Sequence, residues 1–255
     1  AGKMIFDVSV PSIPAKITEF PVADSIRAME AIGDYLVVAD DNYSAYHTLK
    51  TIDISNPSAA QIVSQIQLGS SCMLMASDDG AIALRIGGDE IWLVDATDPA
   101  DLSHEGTITS SAVIYGLAVR DDIIYITEDD NDLLVYDISD LSAPGYVRTI
   151  DLTYNLTHLI YTDSYLLGRS DLEDIRIFSI SNPLNPAYLG TYVPSDIPGE
   201  IRAIDDYVYI VCEGVFEIAD ISNPSAPTYA GSVSLPGTMT YDYMDSDGLF
   251  GYLTG

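Results

Sequence analysis

One nine-residue phrase recurs along the chain in near-copies: LKTIDISNP (49–57), IWLVDATDP (91–99), LLVYDISDL (133–141), IRIFSISNP (175–183), FEIADISNP (216–224) and KMIFDVSVP (3–11). Taking Asp7, Asp53, Asp95, Asp137, Ser179 and Asp220 as markers, the separations are 46, 42, 42, 42 and 41 residues. The first interval is longer because of an extra stretch, NYSAYHT, at 42–48. A steady period of this size confines the chain to repeat architectures, in which each unit buries its apolar surface against its neighbours.

Within each unit, four apolar or alternating runs are separated by Asp/Gly/Asn/Pro turns, the pattern of four antiparallel strands, A to D. AMEAIGDYLVVAD (28–40), GLAVRDDIIYITE (116–128) and AIDDYVYIVCE (203–213) are A–B pairs around a tight turn. Strand C ends in the DIS phrase, and strand D follows the proline bend, as in AYLGTYV (187–193). Runs B and C are apolar almost throughout, so both of their faces are expected to be covered. A four-stranded unit of about 42 residues is the signature of a propeller blade. The expected fold is therefore all-β, a single six-bladed β-propeller domain over 1–255.

The ends of the chain fit that count. After Asp220 there are 35 residues, enough for an A–B pair but no C or D strand. MIFDVS (4–9) and AKITEF (15–20) supply the missing half, and the seven residues ending at Asp7 complete one repeat length of 42. The last blade is predicted to combine N-terminal C and D strands with C-terminal A and B strands, which removes the free edges.

Composition narrows the partners. Ten Lys+Arg against 39 Asp+Glu give a net charge of −29, yet 47% of residues are hydrophobic, enough to build a core. No basic cluster exists to contact phosphates, so nucleic acid is excluded as a partner. No apolar run approaches 18 residues, so direct membrane insertion is not expected. Thirty Asp against nine Glu suits a chain rich in turns. Cys72 and Cys212 both lie in apolar runs and read as small buried hydrophobes rather than a disulfide framework.

The repeated phrase has a physical job. Asp and Ser side chains bond nearby backbone N–H groups, while proline fixes φ and stops the strand. Repetition of the marker aspartates in nearly every unit argues for a shared structural task rather than catalysis. The phrases LKTIDISNP, LLVYDISDLSAP, IRIFSISNPLNP and FEIADISNPSAP resemble the LVIVD-repeat family, β-propeller proteins of bacterial and archaeal cell surfaces. Ser179 in place of Asp, and Leu141 in place of proline, depart from the pattern without threatening the fold. The resemblance implies an extracytoplasmic repeat domain and carries no catalytic motif to transfer.

Function is expected where units differ. The A–B and C–D turns share one side, which holds the repeated phrases; the B–C and D–A connections share the other and vary in length and content. Aligning the units with one another places Ala28, Leu74, Gly116, His158, Glu200 and Asp242 at equivalent positions early in strand A. Three successive units thus carry His158, Glu200 and Asp242 at the predicted channel mouth, a candidate group for acid–base chemistry or a hard cation. In the B–C loop EDDND, Asp129, Asp130 and Asp132 are candidate calcium ligands, since crowded carboxylates repel one another unless a cation neutralises them. Calcium is the one cofactor suggested. Tyr43, Tyr46 and Tyr154 fall in B–C or D–A loops and are candidate contact anchors.

The expected function is a non-enzymatic extracellular or cell-surface module that binds a protein or glycan partner, or joins other domains of a longer surface protein such as a surface layer. The alternative is a metal-dependent hydrolase or lyase, calcium being the candidate metal, with its site at the channel mouth.

Overall fold

The computed structural model describes residues 3–7, 15–20, 26–42, 46–78, 80–235, 243–246 and 251–254. Side chains are described over 15–18, 26–40, 47–78 and 80–235. The described residues form five four-stranded antiparallel sheets and two two-stranded sheets.

The first four-stranded sheet runs β3 (Ile26–Ile32), β4 (Tyr35–Asn42), β5 (Tyr46–Asp53) and β6 (Gln61–Leu68). The second runs β7 (Cys72–Asp78), β8 (Ala81–Ile86), β9 (Glu90–Asp95) and β10 (Ser103–Thr109), and the third β11 (Ile114–Arg120), β12 (Ile123–Glu128), β13 (Asp132–Asp137) and β14 (Gly145–Asp151). The fourth is β15 (Leu156–Tyr161), β16 (Tyr165–Ser170), β17 (Ile175–Ser179) and β18 (Ala187–Tyr192). The fifth is β19 (Pro198–Ile204), β20 (Tyr207–Cys212), β21 (Val215–Asp220) and β22 (Thr228–Ser234). In each, the strands lie in chain order, A to D. At the ends of the chain, β1 (Lys3–Asp7) pairs with β2 (Ala15–Phe20), and β23 (Tyr243–Ser246) with β24 (Gly251–Thr254).

The chain divides into two compact units. One holds 1–113 with the segments 119–122 and 138–144; the other holds 114–118, 123–137 and 145–255. In the first, strand β3 lies beside β7, and the core between their sheets includes Val37, Leu49, Leu68, Ile82, Leu84 and Val94. In the second, β15 lies beside β19 and β19 beside β23. Its cores gather Tyr125, Leu133, Leu156 and Phe178 in one cluster and Leu167, Ile177, Ile201 and Ile210 in another.

Burial follows strand order, as the apolar patterning requires. Every residue of β12 is buried, whereas β14 and β22 are largely exposed. Those outer D strands are edges, and each carries a bulge early in its pairing with strand C: between Thr51 and Ile52, His104 and Gly106, Val135 and Tyr136, Ile177 and Phe178, and Ile218 and Ala219. A bulge twists an edge away from a flat template and so discourages pairing with another chain.

The repeated phrase closes its turn as expected. Ser55 donates both its N–H and its hydroxyl to Asp53 Oδ1 at 2.9 and 2.6 Å, and Thr97 treats Asp95 Oδ1 likewise at 2.9 and 2.7 Å. Ser222 N–H donates to Asp220 Oδ1 at 2.8 Å, and in the fourth repeat Ser181 N–H uses the Ser179 hydroxyl at 3.3 Å. These bonds hold the carboxyls of Asp53, Asp95 and Asp220 below the usual range. The next residue's N–H ties the phrase to the A–B turn: Ile54 to Asp34 O, Ala96 to Gly80 O, Ile138 to Asp122 O, Ile180 to Ser164 O and Ile221 to Asp206 O. The carboxylates of Asp53, Asp95 and Asp220 are therefore occupied in building turns.

The loop after the phrase also braces a neighbouring sheet. Within the second unit, an alanine Cβ at Gly190 on β18 would lie 2.3 Å from Pro224 O, and Arg148 on β14 donates to Asn185 Oδ1. Within the first, a Cβ at Gly106 on β10 would lie 2.1 Å from Leu141 O, and β2 lies against residues 57–59. β2, β10, β14 and β18 thus each lie against the C–D loop of the following repeat, and on β10 and β18 glycine is what allows the carbonyl to approach. Cys72 and Cys212 are buried and free, their thiols pushed up by burial to about 12 and about 11.

Candidate functional site

The first strands of four of the sheets, β3, β7, β15 and β19, share a local irregularity. Pairing skips between Ile26 and Ala28, Cys72 and Leu74, Thr157 and Leu159, and Pro198 and Ile201. His158 sits in the bulge of β15 with φ of 48°, a left-handed conformation that non-glycine residues rarely adopt. Backbone strain of this kind costs of order 1–3 kcal/mol and gathers at functional positions. Glu200 occupies the corresponding bulge of β19.

These two side chains meet. His158 Nδ1 lies 3.6 Å from Glu200 Oε2, and Arg202, two residues along the same strand, donates from Nη1 to Glu200 Oε1 at 2.7 Å. The same nitrogen reaches Ile201 O at 3.0 Å and lies 3.3 Å from His158 Nε2. Arg169 on β16 stands near the group and acts on it through its charge. Its Nε donates to Thr157 Oγ1 at 3.0 Å, and its Nη1 donates to Pro198 O and Gly199 O at 3.2 and 2.7 Å. Those carbonyls lie where the bulge interrupts pairing with β20, so the guanidinium supplies the donors that the ladder leaves out.

The electrostatics follow from burial against charge. Burial, with Arg202 and Arg169 nearby, presses the His158 imidazole down to about 4, so it is neutral at pH 7. Burial raises the Glu200 carboxyl, while Arg202 and Arg169 pull it back. Burial also lowers the Arg169 guanidinium, and Glu200 opposes that shift. The side chains of His158, Glu200 and Arg202 remain 27%, 12% and 35% exposed. The group therefore offers solvent a neutral imidazole, a carboxylate oxygen and a guanidinium edge together.

His158 and Glu200, expected to be neighbours from their spacing, are neighbours. Asp242, the third member, lies outside the described residues. Arg169 and Arg202 were not anticipated, although the same alignment of repeats exposes them. Arg202 stands where other repeats have Glu30, Ala76, Ala118 and Ile160, and Arg169 where they have Ala39, Arg85, Thr127 and Val211.

The acidic loop is shorter than its sequence suggested. Glu128 ends β12 and Asp132 begins β13, leaving only residues 129–131 as the turn, with Asn131 at φ of 69°. Asp132 faces Asp151 across the ladder. Burial and the charges of Asp130 and Asp151 raise its carboxyl. Among the described residues, no three His, Cys, Asp or Glu side chains converge as a metal-binding group. Tyr154 packs rather than projects. It is only 8% exposed, and the Arg176 guanidinium covers its ring at 4.1 Å while pairing with Asp174 through two bonds of 2.7 and 2.6 Å. Tyr43 lies outside the described residues, as does the side chain of Tyr46.

Solved structures resemble this chain in fold. A functionally unknown protein from Desulfotomaculum acetoxidans superposes with a TM-score of 0.69 at 15% identity, over 86% of this chain and 73% of its own. The β-propeller domain of Cps50 (Swd1) from Myceliophteria thermophila gives 0.70 at 13% identity, over 87% and 76%. BamB from Moraxella catarrhalis gives 0.63 at 11%, over 94% and 83%. At such identities the likeness concerns fold alone, and with the repeated four-stranded sheets it makes the chain a β-propeller. No curated protein matches it in sequence. The family model of the LVIVD repeat matches residues 26–67, 115–151 and 199–234, which span the first, third and fifth four-stranded sheets, and the chain belongs to the LVIVD-repeat family.

Proposed function

We propose that this chain is a six-bladed β-propeller acting at the cell surface or outside the cell as a binding module for a protein or glycan partner, received on the B–C and D–A side. The observation that carries the reading is where the loops leave apolar side chains in water. At the B–C and D–A ends, Val113, Leu172, Val193 and Ile197 are 42%, 59%, 70% and 53% exposed. In the described loops at the opposite end, Leu184 is the one large apolar residue so exposed, at 38%. Exposed apolar groups rimmed by polar ones are characteristic of interaction surfaces. The repeated-phrase side, by contrast, spends its polar groups on its own turns.

A cation-dependent enzyme is the weaker reading. Glu200 directs its charge to Arg202 and lies near Arg169, so a metal ion there would displace an ion pair and meet two guanidinium groups.

Six blades require the two short sheets to form one blade. Asp7 faces Ala15 as Asp137 faces Gly145, so β1–β2 keeps the C–D pairing of the other repeats. Gly231 occupies on β22 the position that Gly106 and Gly190 hold on β10 and β18, and no described residue lies within 4 Å of a Cβ built there. The C–D loop assigned to that seat by the repeat order is 8–14, in the phrase DVSVPSIP. One departure stands out in β23–β24: Tyr243 faces Thr254, whereas its equivalent Met75 faces Leu84, so this pair is displaced by two residues.

The test is binding of the intact chain to cell-surface extract of the source organism, measured by biolayer interferometry. Leu172→Asp, Val193→Asp and Ile197→Asp combined are expected to reduce binding at least tenfold, while Leu184→Asp leaves it within twofold. Equal loss in both variants, or binding unchanged by the triple substitution, contradicts the assigned face.

A further inference from the structure

We infer that the Glu200–Arg202–His158 group is the seat of a vicinal diol on a neutral sugar. This deepens the binding reading above and rests on it. The group breaks the repeat rule at two positions at once: small or apolar Ala28, Leu74 and Gly116 stand where His158 and Glu200 do, and no other repeat places arginine at the Arg202 position. A departure confined to adjacent blades is unlike the turn phrase, whose recurrence marks it as scaffold.

The chemistry of the group selects the ligand. Arginine carries five N–H donors in a planar fork. Arg202 commits Nη1 to Glu200, Ile201 and the His158 edge, and its Nε and Nη2 have no partner among the described residues. Glu200 Oε2 stands 3.6 Å from the imidazole, beyond hydrogen-bond length, and keeps acceptor capacity. The imidazole is neutral and presents Nε2 to Arg202 Nη1 as an acceptor, so it helps to hold the guanidinium without adding charge. A ligand must therefore accept from the guanidinium edge and donate to the carboxylate within one small contact. A hydroxyl does both, and two adjacent hydroxyls match the adjacent donor and acceptor.

Charge removes the competitors. A carboxylate or sulfate ligand would face Glu200 inside a chain of net charge −29. A cation would face Arg202 and Arg169. A neutral polyol meets neither obstacle. The strained φ of His158 holds the imidazole beside both partners, fixing the site before the ligand arrives.

Saturation-transfer NMR on the intact chain tests this with methyl α-mannopyranoside, methyl β-galactopyranoside and methyl β-glucopyranoside, and with methyl β-glucuronide as the acidic arm. At least one neutral glycoside is expected to bind in the millimolar range. Glu200→Gln and Arg202→Met, each checked by thermal unfolding, should weaken it tenfold or more. A bound glycoside lacking one hydroxyl of the diol should fail on the unaltered protein, which keeps the test independent of any folding defect. No neutral glycoside bound at tens of millimolar, unchanged binding in both variants, or tenfold preference for the glucuronide over the glucoside overturns the inference. If sugars fail while loop-dependent binding to surface extract persists, the diol seat falls and the binding module stands.

Discussion

Alanine at Gly190 will destabilise the protein by about 3 kcal/mol, because its Cβ would fall 2.3 Å from Pro224 O and neither backbone can retreat without opening a turn. Gly106→Ala meets Leu141 O at 2.1 Å and should cost a similar amount. In a chain of this length that is roughly 6–12 °C in melting temperature. Chemical denaturation with the slope m held constant is the appropriate measurement. Changes below about 0.5 kcal/mol, the usual range for unconstrained surface sites, would show that the C–D loop is not seated on the outer strand. Gly231→Ala carries further information. If residues 8–14 occupy the seat on β22, this substitution will be as damaging as the other two. If they do not, it will be nearly neutral, since no described residue stands within 4 Å.

Acidification will expose His158. Its imidazole titrates near 4 in the folded chain against an ordinary value of 6.5, because burial and two guanidinium groups disfavour the cation. The unfolded chain therefore takes up this proton first. The stabilisation is complete above pH 6.5, falls as pH drops towards 4, and levels off below that. Between the ordinary value of 6.5 and about 4 this amounts to roughly 3 kcal/mol. His158→Asn removes the titrating group and retains a residue tolerant of left-handed φ. The difference in unfolding free energy between the two proteins should slope between pH 6.5 and 4 and be flat elsewhere. A difference independent of pH across that window contradicts the buried neutral imidazole. Asp53, Asp95 and Asp220 act in a lower window. Their carboxyls are depressed by Ser and Thr hydrogen bonds, so their contribution is lost only as pH falls from about 3.8 through their folded values.

The architecture was legible because it is periodic. Four-stranded sheets, turn chemistry and the burial gradient from B and C to D all follow from apolar runs punctuated by Asp, Gly and Pro, and those signals are local. Blade-to-blade seating at Gly106 and Gly190 was less visible, since a glycine in a strand has many explanations until the approaching carbonyl is known. The candidate site was half legible. Spacing by 42 brought His158 beside Glu200, but the expectation of free carboxylates ignored Arg202 and Arg169, which turn a cation site into a mixed donor–acceptor group. Arg169 in particular acts through tertiary contacts with the carbonyls of Pro198 and Gly199, which no sequence pattern announces. Tyr154 shows the opposite failure: its position near a loop suggested exposure, and stacking under Arg176 buried it.

Backbone amide–amide contacts measured by NMR on the intact, monomeric chain decide whether the termini complete the wheel. In a six-bladed propeller, β24 as strand B lies beside β1 as strand C, about 4.8 Å apart. The account predicts through-space contacts between Gly251–Thr254 and Lys3–Asp7, in addition to those joining β1 to β2 and β23 to β24. Contacts confined to the two hairpins, with none between them, would contradict a sixth blade shared by both ends of the chain.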